Sequence, residues 1–322
     1  MRARFHLRNG PHQKLFRGTP SRKPIFAIVP PTTLHQKSIK STPTMADQKT
    51  DALYQREGHL HTHTSTLTSI APLSSFPQSI QPLFKPPPEK TPYILTTPST
   101  IFHAQGGGQP SDTGTITLSA PTPDGNDARF AVLQVRKVDP AILHMGVFDP
   151  ADAVLTDQEL GREIDQVVDV PTRVLHSRLH TAGHVLGLAI HMLSRAGALP
   201  ADLKDGKASH YPGAAFVENF GLIPGSAKDA IQAKVDELVK QDLPIDIHFW
   251  SAEEAGGKCI GGTDGAAVGD GEEVRVVDIG GLGSYPCGGT HVGKLGELGR
   301  VVVRSIKRQK GVSKVSYEVV DG

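Results

Sequence analysis

The chain has 322 residues, 38% of them hydrophobic and 5% aromatic, enough for two ordinary domains with packed interiors. No stretch approaches the roughly 20 uninterrupted apolar residues that cross a bilayer, so the sequence predicts a soluble globular protein without a membrane span. The net charge of +1 conceals an asymmetry: residues 1–46 hold nine Lys or Arg and no Asp or Glu, leaving 25 basic against 33 acidic residues elsewhere. A nucleic-acid partner would therefore have to be met by local basic patches rather than by overall charge.

The basic, Ser/Thr/Pro-rich residues 1–46 fit a mitochondrial transit peptide and equally a disordered tail, because Pro20, Pro24, Pro30 and Pro31 interrupt any long amphipathic helix. Met45, heading the hydrophilic MADQKTD, offers a second translation start. The expectation is a cytoplasmic protein with residues 1–46 as a route into mitochondria. Only two cysteines occur, Cys259 and Cys287, which suggests a reducing compartment. Cys259 has no histidine at ligand spacing and reads as a bystander.

Residues 47–170 predict a small β-rich, barrel-like domain, with alternating or β-prone runs around 53–70, 91–104, 128–138 and 141–148. Residues 72–92, PLSSFPQSIQPLFKPPPEKTP, carry too many prolines for a central strand and predict an exposed inserted loop. His59, His61 and His63 share one side of a strand, but no Cys or carboxylate completes a ligand set, so they predict a solvated face.

Residues 171–322 change character. From Val174 the apolar residues Leu175, Leu179, Val185 and Leu188 recur with a period near 3.6, with Pro171 a suitable helix start, and a second helix is predicted over 227–242. Strands are expected at 245–250, 273–279, 299–309 and 312–320, giving an α+β domain whose antiparallel sheet is covered by helices on one side. RSIKRQKGVSK at 304–314 reads either as a phosphate-contacting patch or as an edge strand guarded by lysines.

HTAGH places His180 and His184 four apart on one helical face, as a shared metal ion requires. Paired helical histidines also serve packing or capping, and His176 extends the series, so spacing alone does not say which pair binds. YPCGGTHV sets Cys287 and His291 four apart in a Gly-Gly turn. A thiolate and an imidazole from that turn, added to two helical imidazoles, make a Cys-His₃ set suited to Zn²⁺. Gly288 and Gly289 would let the turn fold inward and leave room for substrate.

HTAGH followed by CGGTH resembles the editing domain of alanyl-tRNA synthetase and its free-standing relatives, the AlaX trans-editing proteins, with the threonyl-tRNA synthetase editing domain a more distant relative. FHAQGGGQPSDTG at 102–114 is similar to the glycine-rich motif of the longer AlaX proteins, and SHYPGAAFVENFG at 209–221 to the stretch between the ligand motifs. The resemblance covers roughly residues 51–320 and implies a trans-acting zinc hydrolase whose partner is tRNA(Ala) carrying a wrong amino acid, serine or glycine. ATP or nucleotide binding is implied only for the wider family.

Ester cleavage needs an activated water and a stabilised oxyanion. Four protein ligands ordinarily close a zinc site, so either one ligand is loose, the coordination expands, or water is activated elsewhere. For that last role the resemblance points to His210, with Gln109 and Asp112 from the glycine-rich motif as further catalytic candidates. Gly183 stands where the synthetase motif commonly has Thr, which implies a larger pocket and leaves Thr290 as a candidate partner for a serine hydroxyl. The alternative is a non-catalytic, zinc-stabilised tRNA-binding or adaptor module. A zinc peptidase is excluded because HTAGH lacks the Glu that follows the first His of HExxH.

Overall fold

The computed structural model describes residues 49–120, 128–262 and 273–321. The basic segment 1–46 and the start at Met45 lie outside the described residues. From Pro43 onward the chain forms one unit by its internal contacts. The first half is built from strands β1 (Asp51–Ala52), β2 (Thr62–Thr66), β3 (Ser69–Pro72), β4 (Tyr93–Thr96), β5 (Ser99–Thr100), β6 (Gly114–Leu118), β7 (Arg129–Val138), β8 (Ala141–Asp149) and β9 (Glu163–Val168). The second runs α1 (Val170–Arg195), β10 (Lys204–Ser209), β11 (Phe216–Phe220), α2 (Lys228–Lys240), β12 (Ile245–Trp250), α3 (Ala252–Lys258), β13 (Val274–Ile279), β14 (Ser284–Pro286), β15 (Arg300–Gln309) and β16 (Val312–Val320).

Seven antiparallel strands form one sheet in the order β2-β9-β6-β7-β8-β4-β3. Its two edge strands are joined by only Leu67 and Thr68, whose amides reach Arg162 O beside β9 and Thr96 O on β4. The sheet must therefore curl until its ends meet, and the barrel-like expectation holds in this curled form. Phe102, Ile116, Phe130 and Ile164 fill its interior, shielding apolar surface at roughly 1.5–3 kcal/mol per large side chain. The Pro-rich stretch is mostly exposed and joins no strand beyond Pro72, as the sequence predicts, but it is pinned to the sheet at two points. It makes two 3₁₀ turns, and Leu73 and Phe84 bury themselves against Ile94, Leu143 and Met145, because two apolar anchors outweigh the prolines' inability to join a ladder.

A second core gathers around α1. Asp169 caps the helix by accepting a 2.9 Å hydrogen bond from Thr172 N, and Gly197, at φ +73°, ends it where residues with a Cβ are strained. Leu179, Val185, Leu186 and Ile190 pack with Ile231, Val235 and Leu238 of α2 and with Val303 and Val315. Two antiparallel sheets, β10-β11-β16-β15 and β12-β13-β14, complete this half. Strands β10, β11 and β14 do not stand out in the sequence. β10 reads KDGKAS, with little β propensity, and is held as an edge strand by pairing with β11.

Candidate functional site

α1 presents His180 and His184 one turn apart, and the turn after β14 carries Cys287 and His291 to meet them. Ligand-capable atoms of these four residues lie within 4.8 Å of one another, and among the described residues theirs is the grouping compact enough to share an ion. Cys287 Sγ is 3.4 Å from His180 Nε2 and 3.3 Å from His291 Nε2. A tetrahedral zinc ion with ordinary Zn–S and Zn–N bonds separates such atoms by about 3.5 Å, so the set fits. His176 lies outside the group, which decides between the two adjacent histidine pairs.

The glycine-rich motif of the curled sheet reaches into this site. Gln109 Oε1 accepts from Thr290 N at 3.0 Å, which makes it the carbonyl oxygen, and so the His180 Nδ1 that lies 2.7 Å away must be the donor. That tautomer leaves His180 Nε2 with its lone pair turned toward Cys287. Gln109 Nε2 donates to Thr290 Oγ1 at 2.8 Å, and the same oxygen shares a 2.8 Å bond with Ser177 Oγ. Gln109 is thus a positioning residue that fixes a ligand ring and the CGGTH turn together. His291 Nδ1 lies 3.0 Å from Thr181 Oγ1, while His184 Nδ1 is buried without a partner among the described residues, an orphan consistent with a ligand role.

Gly289 is required by close approach. A Cβ there would stand 2.3 Å from the His180 ring and 2.5 Å from Gln109 Oε1. The Gly183 expectation needs correction, since the space left by the missing side chain is not an enlarged pocket. A Cβ at Gly183 would lie 2.5 Å from His210 Cε1 and 2.7 Å from Tyr317 Oη, so the His210 ring fills that volume. His210 stacks on His180 with centroids 4.3 Å apart. Its Nδ1 lies 2.6 Å from Tyr317 Oη, and because the tyrosine donates its one proton to Leu179 O at 2.8 Å, His210 Nδ1 carries the hydrogen. Nε2 is therefore this ring's basic nitrogen.

Asp112 is committed elsewhere. Both its oxygens accept from Arg173 Nε at 3.0 Å, and Oδ2 also takes His103 N at 2.6 Å. Arg173, itself buried, donates to Gly58 O and Ile101 O, so this pair ties α1 to the curled sheet rather than offering a free base. Thr290 differs from expectation in the same way, since its buried hydroxyl is engaged by Gln109 and Ser177. Gly288 has Gln55 Nε2 as the near neighbour of a would-be Cβ, at 3.2 Å.

Electrostatics favour neutral imidazoles. Burial first, then the neighbouring imidazoles, hold His180 and His291 well below the usual histidine range. Burial lowers His184 to about 3 and His210 to about 4. Burial also raises the Cys287 thiol, opposed by Arg275, which donates to the Cys287 carbonyl. A cation in the site would favour the thiolate.

The family described as threonyl and alanyl tRNA synthetase second additional domain matches residues 274–315, which include Cys287 and His291. An alanine–tRNA ligase of Methanosphaera stadtmanae is 30% identical over 229 residues, 69% of this chain and 24% of that protein. Counterparts from Thermofilum pendens and a Nocardioides species are 30% and 33% identical over 68% and 63% of the chain. The chain carries an AlaX-like alanyl-tRNA editing domain. It spans about a quarter of the length of the relatives it matches.

Within this editing domain, sequence reading missed the supports. Thr181 sits inside HTAGH itself and could have been noticed there. Tyr317 and Arg173 carried no signal, because an alternating strand and a helix's first turn look alike whether or not a side chain reaches a distant site.

Proposed function

We propose that the chain hydrolyses the ester of tRNA(Ala) carrying a wrong amino acid, serine foremost and glycine second, at a zinc site of His180, His184, Cys287 and His291. The observation that carries the reading is the convergence of those four donors with Gln109 of the glycine-rich motif and His210 of the HYPG stretch. Zinc, when bound, supplies Lewis acidity. His210 is deprotonated at neutral pH, and its Nδ1–H is fixed on Tyr317, so Nε2 takes the proton from the attacking water. Gln109 and Thr290 act at one remove by holding His180 and the CGGTH turn.

With Thr290 engaged, we assign Tyr285 Oη as the partner of a serine hydroxyl. It is buried without a hydrogen-bond partner among the described residues, and its ring stands edge-on to His184 at 5.0 Å. A polar group left unpaired by a smaller substrate discriminates more sharply than volume does. The four-donor set also favours a second reading, a zinc-stabilised tRNA-binding or adaptor module, because structural zinc sites are closed in this way. The experiment is to offer purified protein Ser-, Gly- and Ala-tRNA(Ala), with and without chelator, and follow ester loss. If no mischarged species is cleaved faster than in buffer, the deacylase reading fails. His180→Ala separates the two readings, since a deacylase loses turnover whereas a binding module loses stability or RNA affinity. We also place the protein in the cytoplasm, with residues 1–46 directing a share to mitochondria, which a reporter fused to that segment tests.

A further inference from the structure

One end of the β10-β11-β16-β15 sheet gathers cations that the proposed chemistry does not use. In register, Lys204 faces Phe220 and Phe220 faces Val312, while Glu218 faces Lys314 and Lys314 faces Lys307. These residues share the outward face, because their neighbours Val217, Asn219, Ser313 and Val315 are buried on the other. The β15–β16 hairpin adds Arg308 and Lys310 at the same end. Among the described residues no carboxylate forms an ion pair with Lys204, Lys307, Arg308, Lys310 or Lys314. Glu218 is the single acid in these facing positions.

Lysines directly opposite on paired strands, as at Lys307 and Lys314, repel and weaken the sheet. Lys314 Nζ lies 3.4 Å from the Phe216 ring centroid, and Phe220 is 55% exposed. Lysines that merely guard a sheet edge belong on an edge strand. Lys204 and Lys307 are on the edge strands β10 and β15, but Lys314 and the exposed Phe220 are on the interior strands β16 and β11, where edge guarding does not account for them. Unpaired cations beside an exposed aromatic ring form the combination that holds a phosphate backbone and stacks an unpaired base. The patch stands out against a body in which acids outnumber bases.

We propose that this face docks the RNA, with Lys204, Lys307 and Lys314 on phosphates and Phe220 under a base. The inference rests on tRNA being the substrate, and it adds where the polynucleotide lies. Tyr317, which holds His210, is three residues along β16 from Lys314, about 10 Å, but its side chain is on the opposite, buried face, so an RNA docked here reaches the hydrolytic site by passing round the edge of the sheet.

The test is binding of a tRNA(Ala) transcript to the full chain by fluorescence anisotropy between 50 and 200 mM KCl. Lys307→Ala with Lys314→Ala is expected to reduce the slope of log K against log salt by about 2, since each phosphate contact contributes about 0.9. Phe220→Ala should weaken binding roughly tenfold and leave the slope unchanged. Lys90→Ala, on the Pro-rich stretch, should alter neither. Thermal midpoints no lower than wild type establish that these substitutions leave the fold intact. A double variant with wild-type affinity and slope overturns the docking face, as does an equal loss in Lys90→Ala. Wild-type protein that binds RNA with the expected slope but cleaves no mischarged tRNA overturns the deacylase reading and leaves the docking face standing.

Discussion

Gln109→Leu removes the group that joins the glycine-rich motif to the metal ligands while keeping a side chain of similar size. Two buried donors, His180 Nδ1–H and Thr290 N–H, lose their acceptor, and Thr290 Oγ1 loses a donor. Each stranded donor costs about 1–3 kcal/mol, so a loss near 4 kcal/mol is expected, a large part of the roughly 5–15 kcal/mol that holds a domain together. For a chain of this size that lowers the thermal midpoint by about 10 °C. His180 is also freed to turn or change tautomer, and loss of such a support weakens metal affinity about 10–100-fold. Chelator competition with a zinc-responsive dye measures the second effect and scanning calorimetry the first. Gln109→Glu supplies an acceptor to both donors and should retain zinc better than the leucine variant. Zinc affinity within twofold of wild type in Gln109→Leu, with an unmoved midpoint, refutes the assignment of Gln109 as the support of His180.

Arg173→Met strands Asp112 as a buried unpaired charge and should cost about 3–5 kcal/mol, with Asp112→Leu added to it recovering much of the loss; urea unfolding of the single and double variants checks this. Tyr285→Phe should lower kcat/KM for Ser-tRNA(Ala) about tenfold or more and spare Gly-tRNA(Ala), and equal effects on both would remove Tyr285 from specificity. His144 and His103 are held at about 4 by burial, against 6.5 in an unfolded chain. Each depressed imidazole contributes stability that is whole above pH 6.5 and disappears as pH falls toward 4, about 3 kcal/mol apiece at the acid limit. Urea midpoints should therefore drop between pH 7 and pH 4.5, and a flat profile contradicts the burial of these rings as neutral species.

The four clustered donors were legible because metal-binding chemistry restricts both residue type and spacing: HTAGH must be helical to align its imidazoles, and CGGTH must turn. Long strands such as Arg300–Gln309 and Val312–Val320 were legible from alternation. What the sequence concealed depends on long-range contact. His210 looks like an isolated histidine until Tyr317, 107 residues later, fixes its proton. Gly183 looks like a vacancy until the ring that fills it is known. Asp112 in a glycine-rich motif resembles a catalytic acid, and only the buried guanidinium of Arg173 shows it to be an anchor.

The curled sheet contributes none of the four clustered donors, yet its Gln109 orients one and its Asp112 clasps the helix that bears two. Metal occupancy should therefore report on the integrity of the whole body: a cut or insertion between 119 and 170 that loosens the sheet would be read out as weaker zinc retention. Conversely, zinc at a hundredfold excess over its dissociation constant would lend about 2.7 kcal/mol to strands that never touch it.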